Sequence, residues 1–543
     1  MSRPADPSGN GKSKQNTMFG GVAILAVGIA IVKVIGALFK IPLFNILGEE
    51  GATDFNSAYS IYSVLLTVST AGLPVALSKT VSEANTLGRH NQKQKVFRVA
   101  LSAFVAMGAL SFLIMWLGGD WLAGRMNNPH AAPGIRALAP AVVCVGCLSA
   151  FRGYAQGHMN MAPTSVSQIM EALCKLFLGL GLAALVMSQP AAGFAEGEQT
   201  SLAAAGAITG VTVGTMLALV YMSVNYLRTR RHTYRPGEDR AQGSGTILKN
   251  LLRIAIPITL STSLVPVINL LDNAIVLGRL QDALGMSETA SRTLYGNYAV
   301  ALSLYNLPSS FMTAFTAAII PAVSAALARH DREGTRRITG SVLRVTALLA
   351  LPMGVGLCAL SGPIMQLLYP KYDVSITGPL LAVLAPTAVC VCLVLVSNSV
   401  LQAHGYVQLP IFTVLAGGAV KIVSNYFLVA NPELNIYGAS LGMLLCYAVT
   451  LVLNLLLLYR LCSVGGYVRV FARPLLASVL MGAAAWAVHG LVSGAAGNLV
   501  AVGVAICAAV AVYLVLVLAL KAVSRDDVML MPKGEKIAKI LII

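Results

Sequence analysis

Charged residues make up only 11% of this 543-residue chain, and just 21 of them are acidic. A soluble protein of this size needs far more charge to solvate its surface. The sequence has no glycine-rich nucleotide loop, no carboxylate pair at catalytic spacing, and no serine, histidine and aspartate set on a polar scaffold, so it does not read as an enzyme. Cysteine is missing from every loop expected to face outward. All nine (144, 147, 174, 358, 390, 392, 446, 462 and 507) lie within or at the ends of apolar runs, and no disulfide framework is expected. Cys144 and Cys147 form a C-x-x-C, but no second pair or histidine cluster completes a metal site, so small packing residues are the expected role. No cleavable signal peptide is expected either, because the polar start, Met1 to Asn16, runs straight into a long apolar segment without a small-residue cleavage site.

Apolar length is what the chain has in abundance: 57% of residues are hydrophobic and the mean hydropathy is +0.76. The runs mostly reach the ~20 residues that a helix rising ~1.5 Å per residue needs to cross a ~30 Å hydrocarbon core. They lack the alternation of barrel strands. The pattern predicts an all-α integral membrane protein with about fourteen spans, at 18–45, 57–79, 97–118, 134–157, 163–188, 201–227, 248–278, 295–325, 338–360, 377–403, 409–430, 436–460, 470–492 and 498–521.

A formal charge of +17 would suggest a nucleic-acid partner in a soluble chain. Here the cations gather in alternate loops, at Lys12 and Lys14, between Lys79 and Arg98, in Arg228 to Arg240, in Arg329 to Arg344, and at Arg460, Arg469 and Arg473. The opposite loops carry Glu49, Glu50, Asp54, Glu196, Glu198 and Glu433. The positive-inside rule then puts both termini in the cytoplasm of a multi-pass protein, with the bilayer as its surroundings and no nucleic acid as partner.

The segment Leu138 to Lys175 returns, worn, as Leu384 to Lys421. Leu138, Ala139 and Pro140 answer Leu384, Ala385 and Pro386; Gln156 and His158 answer Gln402 and His404; Lys175 answers Lys421, each 246 residues on. Each copy is a helical hairpin whose polar break ends at Pro163 or Pro410. The constant offset indicates duplication, hence two six-helix lobes related by a parallel repeat. The expected organisation is a cytoplasmic N-terminus (1–17), an N-lobe (18–227), a cytoplasmic linker (228–247), a C-lobe (248–460), two further helices (461–521) and a cytoplasmic tail (522–543) that lies along the inner leaflet or in solvent.

The stretches FRGYAQG (Phe151 to Gly157), which holds Arg152 and Gln156, and Met161 with APTSVSQ (Ala162 to Gln168) and Glu171 resemble the signature of the stage V sporulation protein B type of polysaccharide exporter. AGLPVALSKTVSE (Ala71 to Glu83), with Pro74, resembles that family's second helix. KIVSNYFLVANPELNIYGAS (Lys421 to Ser440) resembles a helix turn of the wider multidrug and oligosaccharidyl-lipid flippase superfamily. The resemblance covers nearly the whole chain. It implies two lobes around a cavity with alternating access, and flipping of undecaprenyl-linked precursors such as lipid II in the bacterial cytoplasmic membrane. Better-studied relatives line the cavity with arginines on helices 1, 2 and 8; this chain has Lys33, then Phe39 followed by Lys40, and Ser303 at the helix 8 position, so the set is only partly kept.

An ionised group at mid-bilayer costs on the order of 2.5–3.5 kcal/mol on insertion scales, so each one needs a partner or a wet cavity. Lys33 and Lys40 are seven residues apart on one face of helix 1, suited to a diphosphate, with outward snorkelling of Lys40 as the alternative. Glu171 and Lys175 have the i, i+4 spacing of a neutralising pair. Lys421 has Gly417 where Glu171 stood, which makes Asp272 its long-range candidate with Asn425 nearby. By resemblance to the superfamily's sodium site, that trio offers sodium coupling, proton coupling or a static ion pair, with no bound cofactor. Arg152, Gln156, Pro163 and Pro74 read as hinge or lobe-locking residues.

Three functions fit these observations: a monomeric flippase for a polyprenyl-diphosphate-linked glycan, a cation-coupled multidrug exporter of the same fold, and a membrane-embedded transferase or scaffold. Basic residues on helix 1 favour the first. Short outer loops disfavour the third.

Overall fold

A computed structural model describes residues 9–195, 197–233, 239–328, 332–462 and 465–523. Residues 1–8 of the expected N-terminus, 234–238 of the linker and 524–543 of the tail lie outside the described residues. Every regular element among the described residues is helical: α1 (Gly9–Thr70), α2 (Gly72–Thr86), α3 (His90–Leu117), α4 (Gly119–Arg125), α5 (Ala132–Gly157), α6 (Ala162–Cys174), α7 (Leu180–Met187), α8 (Glu198–Thr233), α9 (Ser244–Asp282), α10 (Glu288–Ala328), α11 (Arg332–Ala359), α12 (Ser361–Leu368), α13 (Val374–Ala403), α14 (Leu409–Leu428), α15 (Tyr437–Cys462) and α16 (Tyr467–Ala519), with short 3-10 and π turns between some of them.

Among the described residues, eleven continuous helical runs are long and apolar enough to cross a membrane. Two of them each contain two expected spans, because the chain doubles back at a single glycine. Gly48 (φ 69°, ψ −171°) divides α1, and Gly497 (φ 77°, ψ 166°) divides α16. These angles belong to a region that glycine alone occupies without strain, so no loop is needed. With α10, the helices account for all fourteen spans. The second span therefore starts soon after Gly48, well before the expected residue 57. Its early polar residues are satisfied inside the fold: the Asn128 amide donates to Asp54 Oδ1 (3.0 Å) and Ser57 Oγ (3.2 Å).

Packing separates two compact units, Met1–Ala274 and Ile275–Ile543, and the division falls inside α9, not at the 228–247 linker. The reason lies in α2. Pro74 has no N–H for the Thr70 carbonyl, so the second span breaks at Ala71, and the freed Gly72 N–H donates to Thr259 Oγ1 of α9 (3.1 Å). Ile247, Leu251 and Ala255 of α9 then bury against Leu73, Leu77 and Val81 of α2. In hydrocarbon, such association depends on close packing and hydrogen bonds more than on water release. The linker adds a tie at the same end. Asp239 accepts from the Asn91 (3.0 Å) and Gln92 (2.8 Å) N–H groups at the start of α3. Those N–H bonds, Asn91 first, hold its carboxyl below the usual carboxylate range.

In the second unit, α13 is the central element, packing Cys392, Val396 and Val400 against Val342 and Leu343 of α11 and Leu458 of α15. The last two spans, in α16, lie on α11, where the Tyr513 hydroxyl donates to the Leu348 carbonyl at 2.7 Å. One local contact is the same in both copies of the internal repeat. His158 ends α5 and His404 ends α13, and each ring Nδ1 sits against the carbonyl four residues back, at 2.8 and 2.9 Å.

A methyl group at Gly72 would overlap the Ala255 carbonyl. Gly72→Ala is expected to cost about 1–3 kcal/mol and to lower the thermal unfolding midpoint of the purified protein. Gly490→Ala, which meets nothing within 4 Å, should leave the midpoint unchanged.

Candidate functional site

Inside the first unit, α1, α5, α6 and α8 enclose a cavity of about 370 Å³ whose lining includes Lys33, Tyr59, Tyr62, Arg152, Gln168, Glu171 and Lys175. The hairpin α5–α6 brings Arg152 back against its own second arm. Arg152 Nε donates to Ser167 Oγ at 2.9 Å, and its Nη2 forms an ion pair with Glu171. Ser167 and Glu171 are one turn apart on α6, so one planar guanidinium reaches both. The Glu171 to Lys175 pair expected from the i, i+4 spacing is thus not formed.

Lys175 instead opens a π turn, Lys175–Gly179, a distortion that often marks functional positions. Its ammonium lies over the rings of Phe39 (4.7 Å to the centroid) and Tyr59 (5.1 Å). Among the described residues, no carboxylate lies within ion-pair distance of it. The two rings belong to a chain of aromatic contacts that links Phe39 and Phe44 through Phe55 to Tyr59 and Tyr62. Cation–π attraction supplies part of the solvation that an ammonium loses at this depth. Gln168 Oε1 is buried in the same lining, and among the described residues it has no hydrogen-bond partner.

Lys33 lines the cavity and Lys40 does not. Seven residues of helix carry Lys40 about 10 Å further along the axis, beyond Phe39, where its ammonium sits 5.9 Å from the Phe44 centroid. Gln156 occupies the last turn of α5, and Pro163 the first turn of α6. In the second unit, Ser303 is buried with its hydroxyl 2.7 Å from that of Tyr369. Asp272 is buried on α9 in the first unit, while Lys421 and Asn425 are buried one turn apart on α14 in the second. The aromatic seat for Lys175 and the role of Gln168 were not anticipated. Phe55, Tyr59 and Tyr62 recur at helical spacing, and that was the signal available for the seat.

The helical bundle has the fold of solved membrane transporters, among them a multidrug resistance MATE family transporter of the MOP superfamily. Residues 19–327 match the family described as polysaccharide biosynthesis protein, and the chain belongs to that family. A second family, MatE, matches residues 257–427. The lipid II flippase MurJ of Bacillus subtilis (strain 168) is 26% identical over 466 residues, spanning 81% of this chain and 82% of its own. Stage V sporulation protein B of the same organism is 22% identical over 530 residues, spanning 96% of this chain and 98% of its own. A solved structure of the lipid II flippase MurJ in an inward closed conformation superposes with a TM-score of 0.67 at 12% identity, over 91% of this chain and 98% of that one.

The Arg152 and Glu171 side chains are 14% and 23% exposed, so their pairing should be energetically coupled. A double-mutant cycle of Arg152→Gln and Glu171→Gln, read by thermal unfolding, is expected to give a coupling of about 1–3 kcal/mol. Additive effects would show that the pair contributes nothing.

Proposed function

We propose that the chain flips an undecaprenyl-diphosphate-linked cell-wall or polysaccharide precursor, lipid II foremost, from the inner to the outer leaflet of the bacterial cytoplasmic membrane by alternating access. It acts as a monomer with both termini in the cytoplasm. The observation that carries this reading is the charge of the first unit's cavity. Lys33, Arg152 and Lys175 share the lining with a single carboxylate, Glu171, and Arg152 already engages it, so among the described residues neither lysine has an ion-pair partner. An anionic diphosphate supplies that compensation, and Gln168 Oε1 can accept from a glycan hydroxyl or amide. A cationic drug would be repelled. The inside-negative potential helps expel an anion, at ~2.3 kcal/mol per charge per 100 mV. The name of one relative, the lipid II flippase MurJ, supports the same substrate class.

Sodium or proton coupling through Asp272 belongs to the same proposal. Asp272→Asn should remove the dependence of transport on the ion gradient.

In a strain depleted of the chain, Lys33→Gln combined with Lys175→Gln should abolish complementation while membrane levels stay normal, and Lys→Arg at each position should retain most of it. The undecaprenyl-linked species that accumulates on the inner leaflet identifies the glycan. A double Gln variant that complements fully would contradict the proposal, and efflux of cationic dyes by that variant would favour the multidrug reading.

A further inference from the structure

The first unit holds a second pocket that shares no lining residue with the Lys33 and Lys175 cavity. We propose that it binds the phosphate group of an anionic ligand, either a phospholipid headgroup or free phosphate. The pocket, about 100 Å³, lies where the start of α3 meets the ends of α5 and α8, and Lys93, Gln94, Tyr154, His158, Tyr226 and Arg230 contribute to its lining. That lining contains no carboxylate, and its size suits a phosphate with its ester carbon, not a nucleoside.

Two buried side chains of the lining, Gln94 and Lys93, keep donors that no described residue takes up. Gln94 is only 8% exposed, yet its side chain makes no hydrogen bond among the described residues. Lys93, also 8% exposed, gives one proton to Asn85 Oδ1 at 3.1 Å and keeps two. Nδ1 of His158 donates to the Tyr154 carbonyl at 2.8 Å, which fixes the ring at the pocket wall, and Nε2 donates to a phosphate once the imidazole is protonated. The Tyr154 ring lies 4.4 Å from the His158 ring at a 50° tilt and meets Tyr226 edge-on at 5.3 Å, which fixes both rings.

The surroundings match the boundary between bilayer and water. These helix ends carry the cation-rich loops, and amphipathic tyrosines favour the headgroup level. Gln94 also lines the adjoining opening, where Lys95 and Arg98 continue the positive strip. The internal repeat adds an independent argument. Its second copy keeps the histidine and its carbonyl bond, His404 to Val400, but has valine where Tyr154 stands. The scaffold was duplicated, whereas the binding set belongs to the first half alone.

The test is thermal unfolding of the full-length purified protein in two arms. One arm titrates inorganic phosphate in neutral detergent against chloride of equal ionic strength. The other compares phosphatidylcholine nanodiscs with and without phosphatidylglycerol. Wild type is expected to be stabilised in at least one arm, and the arm that responds identifies the source. Lys93→Gln with Arg230→Gln should weaken the apparent affinity about tenfold or more. In a Lys175→Gln background the Lys93→Gln and Arg230→Gln pair should still weaken the response, which separates this site from the transport cavity. Should the double variant fail to fold, His158→Gln with Gln94→Leu must weaken the response instead. No stabilisation of wild type in either arm, or an undiminished response in the folded variants, would overturn the proposal.

Discussion

An ammonium held at membrane depth has to be solvated by something other than bulk water, and the first unit is built around that requirement at Lys175. Its charge rests on Phe39 and Tyr59 rather than on the acid one turn away. Arg152, oriented by Ser167, keeps that acid occupied, which holds Glu171 away from Lys175 and leaves the lysine charge available to a ligand. The π turn at Lys175, the aromatic chain from Phe44 to Tyr62 and the hairpin that returns Arg152 to α6 all serve one electrostatic arrangement: an apolar-walled cavity with surplus positive charge. In a medium of low dielectric such a surplus attracts an anion far more strongly than the same residues would in water.

Helix packing follows the same economy of polar groups. Pro74 removes one backbone donor, and the structure answers by pairing the freed Gly72 N–H with Thr259. This draws the start of α9 onto α2 and places the division between compact units inside a helix. A carboxylate from the linker, Asp239, caps α3 close by. The start of α9 is therefore tied to the first unit by apolar burial, and the linker before it by hydrogen bonds.

The number and order of the spans were legible in the sequence because hydrocarbon thickness imposes a length on every apolar run. The duplication was legible because Pro140 and Pro386, and His158 and His404, keep one offset. The ends of the helices were less so. Glu49, Glu50 and Asp54 read as a loop, yet a one-residue reversal at Gly48 lets the helix resume at once, and Asn128 satisfies Asp54 across the fold. At the site, spacing along one helix indicated a Glu171 to Lys175 pair, but Arg152 took the acid from the other arm of the hairpin. A competing partner that arrives through tertiary structure leaves no mark in local periodicity. The same limit applies to Lys40, which shares a helical face with Lys33 but lies by Phe44 outside the cavity lining.

The central claim is that the cavity recognises anionic charge on a lipid-linked ligand. Native mass spectrometry of the purified protein with polyprenyl diphosphate, polyprenyl monophosphate and neutral polyprenol of equal chain length tests it most directly. Retention should fall in that order, with the diphosphate preference lost in Lys175→Gln. Equal retention of all three, or an unchanged preference in that variant, would contradict the account.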